Sequence, residues 1–155
     1  MLDLNGKVAI VTGSTKGIGV ALARRLVDAG ASVTISSRSQ GDIDTVVEQL
    51  GERTFGVVAD VSDPAACQRL IDATVERFGR LDILVNNAGH GIMKPMAEMT
   101  VQEWQAQVDV NLGGVFYSSK AALAHLSATG DGFIINIASL AARNPFAGGT
   151  GYNAS

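Results

Sequence analysis

Short runs of apolar, largely β-branched residues that do not alternate with polar ones recur along this chain. Each is followed by apolar residues at helical spacing, and this order leaves few folds open. Val8 to Val11 is the first run, after which Val20, Ala21, Leu22, Leu26 and Val27 fall at helical spacing and Gly30 fits the helix stop. Ser32 to Ser37 reads as a second strand, and Ile43, Val46, Val47 and Leu50 suggest a helix ended by Gly51. Thr54 to Ala59 reads as a strand, and Ala65 to Phe78 as a helix opened by Asp63 and Pro64 with Gly79 beyond it. Leu81 to Val85 makes a fourth strand, Val101 through Leu126 a long helix interrupted at Gly113 and Gly114, and Phe133 to Ala138 a fifth strand. Strands apolar throughout belong to sheets covered on both faces, and helices between them imply right-handed parallel crossovers. The expected fold is a doubly wound α/β sheet in one domain, residues 1–155, with its ligand beyond the carboxyl ends of the strands.

Composition narrows the function classes. At 46% apolar and 17% charged residues the chain resembles an ordinary soluble core. Its apolar runs fall far short of the roughly 20 residues that span a bilayer, and Met1 to Lys7 lacks a charged-then-apolar signal pattern. A cytoplasmic protein without a membrane partner is expected. Cys67, the single cysteine, has no disulfide partner and no Cys/His spacing around it for zinc. A net charge of -3 without basic blocks gives no footprint for nucleic acid, which leaves a small molecule as the expected ligand.

Between the first strand and first helix lie Thr12, Gly13, Ser14, Thr15, Lys16, Gly17, Ile18 and Gly19. Glycines there permit a tight turn and close backbone approach, and the helix N-terminus offers free amides and a positive dipole end to a pyrophosphate. No GKS or GKT follows, which excludes a P-loop. At the end of the second strand an acid would suit ribose hydroxyls and a cation a 2′-phosphate. Here Ser36, Ser37, Arg38 and Ser39 come first, with no acid before Asp42. Arg38, with Lys16 as a second cation, favours NADP(H) over NAD(H); the alternative is that both are ordinary solvated loop cations.

These motifs resemble those of the short-chain dehydrogenase/reductase family, whose members include 3-oxoacyl-carrier-protein reductases. TGSTKGIG matches its TGxxxGxG loop, Asp60 and Val61 its adenine-contacting pair, and Asn86, Asn87, Ala88 and Gly89 its NNAG motif. Asn111, Ser139 and Tyr152 match three members of its catalytic tetrad. The resemblance implies a Rossmann-type sheet that binds NAD(P), and hydride transfer between nicotinamide and a carbonyl or secondary alcohol. Tyr152 would be the proton donor or acceptor, Ser139 a partner of the reacting oxygen, and Asn111 part of a water relay. A homo-oligomer is implied for the complete protein.

The family's YxxxK motif places a lysine immediately after Ser155, so the C-terminal strands and helices of the family are expected to be missing from these residues. A free phenol is ionised to only about one part in a thousand near neutral pH, and a nearby ammonium favours the ionised form. The 155 residues alone are therefore expected to be inactive or severely impaired, and a non-catalytic dinucleotide-binding module or inactive fragment is the alternative reading. Outside the resemblance, Ser139 reads equally as a loop serine or helix cap and Asn111 as a helix-kinking or structural amide. Asn87 either contacts the adenosine part or ties the fourth strand to its neighbours.

Overall fold

All five apolar runs pair as parallel strands in the computed structural model, which describes residues 3–155. In chain order the elements are β1 (Val8–Thr12), α1 (Gly17–Asp28), β2 (Ser32–Ser37), α2 (Gln40–Leu50), β3 (Thr54–Val58) and α3 (Pro64–Phe78). Then come β4 (Ile83–Asn86), α4 (Val101–Val108), a π turn (Asp109–Gly113), α5 (Gly114–Ala128), β5 (Phe133–Asn136), a 3-10 turn (Leu140–Ala142) and α6 (Thr150–Ala154). The sheet order is β3-β2-β1-β4-β5. The chain winds outward from β1 through β2 and β3, then returns to the other side of β1, so the order reverses between β1 and β4. A crevice opens above the carboxyl ends at such a reversal.

Alternation along each strand divides one continuous apolar run between two cores. Ala9, Val11, Val33, Ile35, Ile83 and Val85 face one side, packed with Ala23 of α1 and Ile43 and Val46 of α2. Ile10 and Leu84 face the other, with Leu70 and Ile71 of α3 and Ala122 and Leu126 of α5. Helices thus cover both faces, giving the α/β, Rossmann-type doubly wound sheet. Complete burial of side chains such as Ile10 and Leu84 stabilises by about 1.5–3 kcal/mol each.

The fourth strand starts later than the sequence suggests, because Asp82 serves as a joint and not as a rung. Its N–H donates to the Val8 carbonyl, and its carboxylate accepts from the Val8 N–H at 2.9 Å and from Arg80 Nε and Nη2 at 2.8 and 2.6 Å. Burial opposes ionisation of this carboxyl, yet the Arg80 hydrogen bonds, the Val8 N–H and the charges of Arg80 and Lys7 hold it below its usual 3.8. A depressed folded pKa contributes stability that is fully present above the unfolded value and is lost as pH falls through the folded one. We expect Asp82→Ala to cost about 2 kcal/mol at pH 7, since it strands the Val8 N–H. The gap from wild type should narrow below about pH 4, as melting curves between pH 7 and 2 would show. A constant gap across that range would reject the assignment.

Two further boundaries differ from the sequence reading. The helix expected to break at Gly113 and Gly114 runs through both in right-handed conformation, and the irregularity is the π turn that ends at Gly113. There the Gly114 N–H reaches back to the Asp109 carbonyl, an i to i−5 bond. Gly114 is required for contact: a Cβ on it would lie 2.8 Å from Val61 Cγ2. The fifth strand ends at Asn136 instead of Ala138 because its partner β4 ends at Asn86, whose carbonyl takes a last bond from Ile137 at 2.9 Å. β5 is an edge strand, with Phe133, Ile134 and Ile135 exposed. Among the described residues no helix is long and apolar enough to cross a membrane.

Candidate functional site

A cleft of about 730 Å³ lies above the β1 and β4 ends. Its floor and one wall are the glycine loop, with Gly13, Thr15, Lys16, Gly17, Ile18 and Gly19 all facing it. The loop is tight because Gly13 takes a positive φ of 62° and Gly19 presses directly on the Gly13 carbonyl. Lys16, the residue that opens α1, makes no side-chain cap bond, and the first turn holds no acid. The N-terminal amides of α1 therefore point unneutralised at the cleft, which suits a pyrophosphate. Ser14 is turned the other way. It is fully buried, and its Oγ accepts the Ser36 N–H at 2.8 Å, tying the loop to β2.

Thr12 closes the same corner. Its buried Oγ1 accepts the N–H groups of Asn87 and Ala88 at 3.0 and 3.1 Å, while Asn87 Nδ2 donates to the Thr12 and Gly13 carbonyls at 2.9 and 3.1 Å. Asn87 therefore ties the end of β4 to the glycine loop, and it lines the cleft with Ala88 and Gly89. At the far end stand Arg38, Ser39, Asp42, Asp60 and Val61. Lys16 Nζ pairs with Asp42 at 3.0 Å. Asp60 is partly buried, which opposes its ionisation, but the Ser62 hydroxyl and N–H and the Arg38 charge hold it below the ordinary carboxylate value. Among the described residues Arg38 makes no ion pair, so its guanidinium remains available to an anion.

At the other end Tyr152 enters the cleft beside His90, Gly91, Met93 and Val110. A Cβ on Gly91 would lie 3.3 Å from the Tyr152 ring. Asn111, in the π turn, accepts the His90 N–H at 2.8 Å and donates Nδ2 to the His90 carbonyl and the Ser155 hydroxyl at 2.9 and 2.8 Å. It thereby links the segment after β4 to the end of α6. Ser139 is exposed in the segment beyond the end of β5, its Oγ accepting the Ala141 N–H at 3.1 Å, and it caps a 3-10 turn that packs against α6. Tyr152 thus lines one end of the cleft and Asn111 holds the His90 backbone beside it, while Asn111 and Ser139 both stand outside the lining.

Sequence reasoning passed over several residues that shape this site. Thr12 ends a strand that points into the crevice, a position that could have singled it out. Asp42 carried a signal only as the first acid after Arg38. Met93 reads in the sequence only as a surface, packing or pocket-lining methionine, and Gly91 and Val110 carried no signal, because their role depends on where loops cross in space. Among the described residues no group of three or more His, Cys, Asp and Glu side chains converges.

The short chain dehydrogenase family matches residues 7–155. Glucose 1-dehydrogenase 2 of Bacillus subtilis is 41% identical over 144 residues, covering 89% of this chain and 56% of that protein. The 3beta-hydroxysteroid dehydrogenase 1 of Eggerthella lenta is 42% identical over 143 residues, covering 89% and 55% respectively. Cis-4-hydroxycyclohexanecarboxylate dehydrogenase of Sinomonas cyclohexanicum is 38% identical over 152 residues, 96% of this chain and 61% of that protein. The chain spans a little over half the length of these curated relatives. With the glycine loop, the reversal crevice and a match over nearly its whole length agreeing, the chain belongs to the short chain dehydrogenase family.

Proposed function

We propose that this chain is the nucleotide-binding and proton-transferring part of an NADP(H)-dependent oxidoreductase acting on a carbonyl or secondary alcohol. One observation carries the reading: the uncapped N-terminus of α1 and the Tyr152 side chain line the same cleft. The cleft residues fit a nicotinamide dinucleotide, which when bound supplies or receives the hydride. Gly13 to Gly19 would hold the pyrophosphate, Arg38 the 2′-phosphate, and Asp60 and Val61 the adenine. Tyr152 Oη gives its proton to the carbonyl oxygen in reduction and takes one from the alcohol in oxidation. Ser139 stands outside the cleft lining, but its Oγ accepts from Ala141 and leaves its own hydrogen unspent, and by the family resemblance that hydrogen would go to the reacting oxygen. Two of the relatives are named for hydroxyl groups on rings, a hydroxysteroid and a hydroxycyclohexane, which makes cyclic alcohols and ketones the first substrates to try.

A form that continues past Ser155 and carries the lysine of the YxxxK motif should reduce members of a panel of cyclic and activated ketones with NADPH. Binding of NADPH without turnover of any of them would favour a non-catalytic dinucleotide-binding module instead. The choice of cofactor has its own test. Lys16 is already partnered by Asp42, so Arg38 is the main cation for a 2′-phosphate. Arg38→Ala should weaken NADPH binding about 10- to 100-fold, the loss of a charge-assisted pair, and leave NADH within about threefold. Titration of cofactor fluorescence measures both, and equal loss for the two would refute the NADP(H) preference.

A further inference from the structure

Glu103, Gln107 and Asn111 recur at i, i+4 and i+8 along α4 and the π turn, so their side chains stand in one row. Each grips a different residue of the segment that leaves β4. Asn111 holds the backbone of His90, Gln107 Oε1 accepts the Ile92 N–H at 2.9 Å, and Glu103 is paired with Lys94. The Lys94 hydrogen bond, with those from Thr100, brings the Glu103 carboxyl down to about 2. Two residues of extended chain advance about 6.6 Å and four residues of helix about 6 Å, so the two can keep step over three rungs. Gripping residues 90, 92 and 94 by these contacts leaves Gly91 and Met93 facing the cleft together with His90, which Asn111 holds only by its backbone.

The middle rung is the one the site does not otherwise explain. Gln107 is completely buried, and an amide there costs free energy unless its polar atoms are bonded. Besides holding Ile92, it donates Nε2 to the Glu103 carbonyl at 3.3 Å. The same amide lies against Gly151, the residue before Tyr152, closely enough that a Cβ on Gly151 would collide with it. One buried side chain therefore touches both the cleft-lining segment and the short helix that carries the tyrosine.

We propose that Gln107 is a positioning residue that fixes the segment 90–94 relative to Tyr152, acting through the Ile92 N–H on one side and Gly151 on the other. This rests on Tyr152 being the proton-transferring residue. Gln107 then governs turnover without governing cofactor affinity, since it lies outside the residues that face the nucleotide.

The test compares, in that longer form with cofactor bound, wild type with Gln107→Met, which keeps length but removes the acceptor, and Gln107→Glu, which keeps the acceptor. Gln107→Met should speed hydrogen exchange at the Ile92 amide at least about tenfold while β1 and β4 amides are unchanged. It should lower kcat/KM for ketone by about 10- to 100-fold, with NADPH affinity within about twofold of wild type. Gln107→Glu should recover a clear part of both losses. Wild-type kcat/KM in a Gln107→Met protein whose Ile92 has lost protection would overturn the proposal, as would equal losses in the two variants. If Gln107→Met does not fold, Gly151→Ala reads the same contact from the other side: normal turnover by folded Gly151→Ala would also overturn it. Equal turnover by wild type and Tyr152→Phe would instead remove the reading beneath the proposal, and is seen separately from Ile92 exchange.

Discussion

Tyr152→Phe, in a form that carries the YxxxK lysine, is expected to lower kcat about 10²- to 10⁴-fold, the usual contribution of a positioned proton donor, while leaving NADPH affinity within about twofold. The ring stays and only the oxygen goes, so the packing of Tyr152 beside Gly91 is retained and the change isolates the proton. Substrate and cofactor still meet in the same cleft, which separates this loss from a failure to bind. The effect should be on kcat and kcat/KM together, because proton transfer helps only when the reacting oxygen changes charge. A solvent isotope effect on wild-type turnover would support the same step. Turnover by Tyr152→Phe within about threefold of wild type would show that the proton comes from elsewhere, and His90 would be the next residue to replace, since it lines the same end of the cleft.

The parts of this site that could be read from the sequence are those in which backbone chemistry forces a residue type. A strand that runs directly into a helix through Gly13, Gly17 and Gly19 has few other uses, and the structure sets that turn at the edge of the cleft. Side-chain direction was less legible. Ser14 and Thr15 are neighbours in the loop, yet one is buried against β2 and the other faces the cleft, and nothing in their types distinguishes them. Gln107 was hidden for a related reason: an amide at a helical position reads as part of the polar face, whereas here it is buried by α6 and the segment after β4. The π turn escaped because Gly113 and Gly114 suggested a break. What those residues provide instead is close approach, with Gly114 set against Val61, and the widened turn places Asn111 where it can reach both His90 and Ser155.

Gly19→Ala should be the most damaging single methyl group in the nucleotide half of the site. The added Cβ would collide with the Gly13 carbonyl, and it would lie 2.9 Å from Ser14 Cα. Those are backbone atoms of a loop that is already fixed. The Ser14 N–H donates to the Ser36 carbonyl at 3.0 Å, and the Gly13 carbonyl accepts from Asn87 Nδ2 at 3.1 Å. The methyl can be accommodated only by moving α1 away from the loop, which turns its N-terminal amides off the cleft and opens the corner closed by Thr12 and Asn87. Overpacking of this kind costs about 1–3 kcal/mol of stability. Nucleotide affinity should fall further, by at least about 100-fold for NADPH and NADH alike, because the anion loses the aligned amides and the close backbone at once. That equality distinguishes it from Arg38→Ala, whose loss is confined to the phosphorylated cofactor. Fluorescence titration with both cofactors, alongside a thermal melt to establish that the variant is folded, measures the difference. A folded Gly19→Ala protein that binds NADPH as wild type does would mean that the pyrophosphate does not sit on the N-terminus of α1, and the cofactor's place in the cleft would have to be assigned anew.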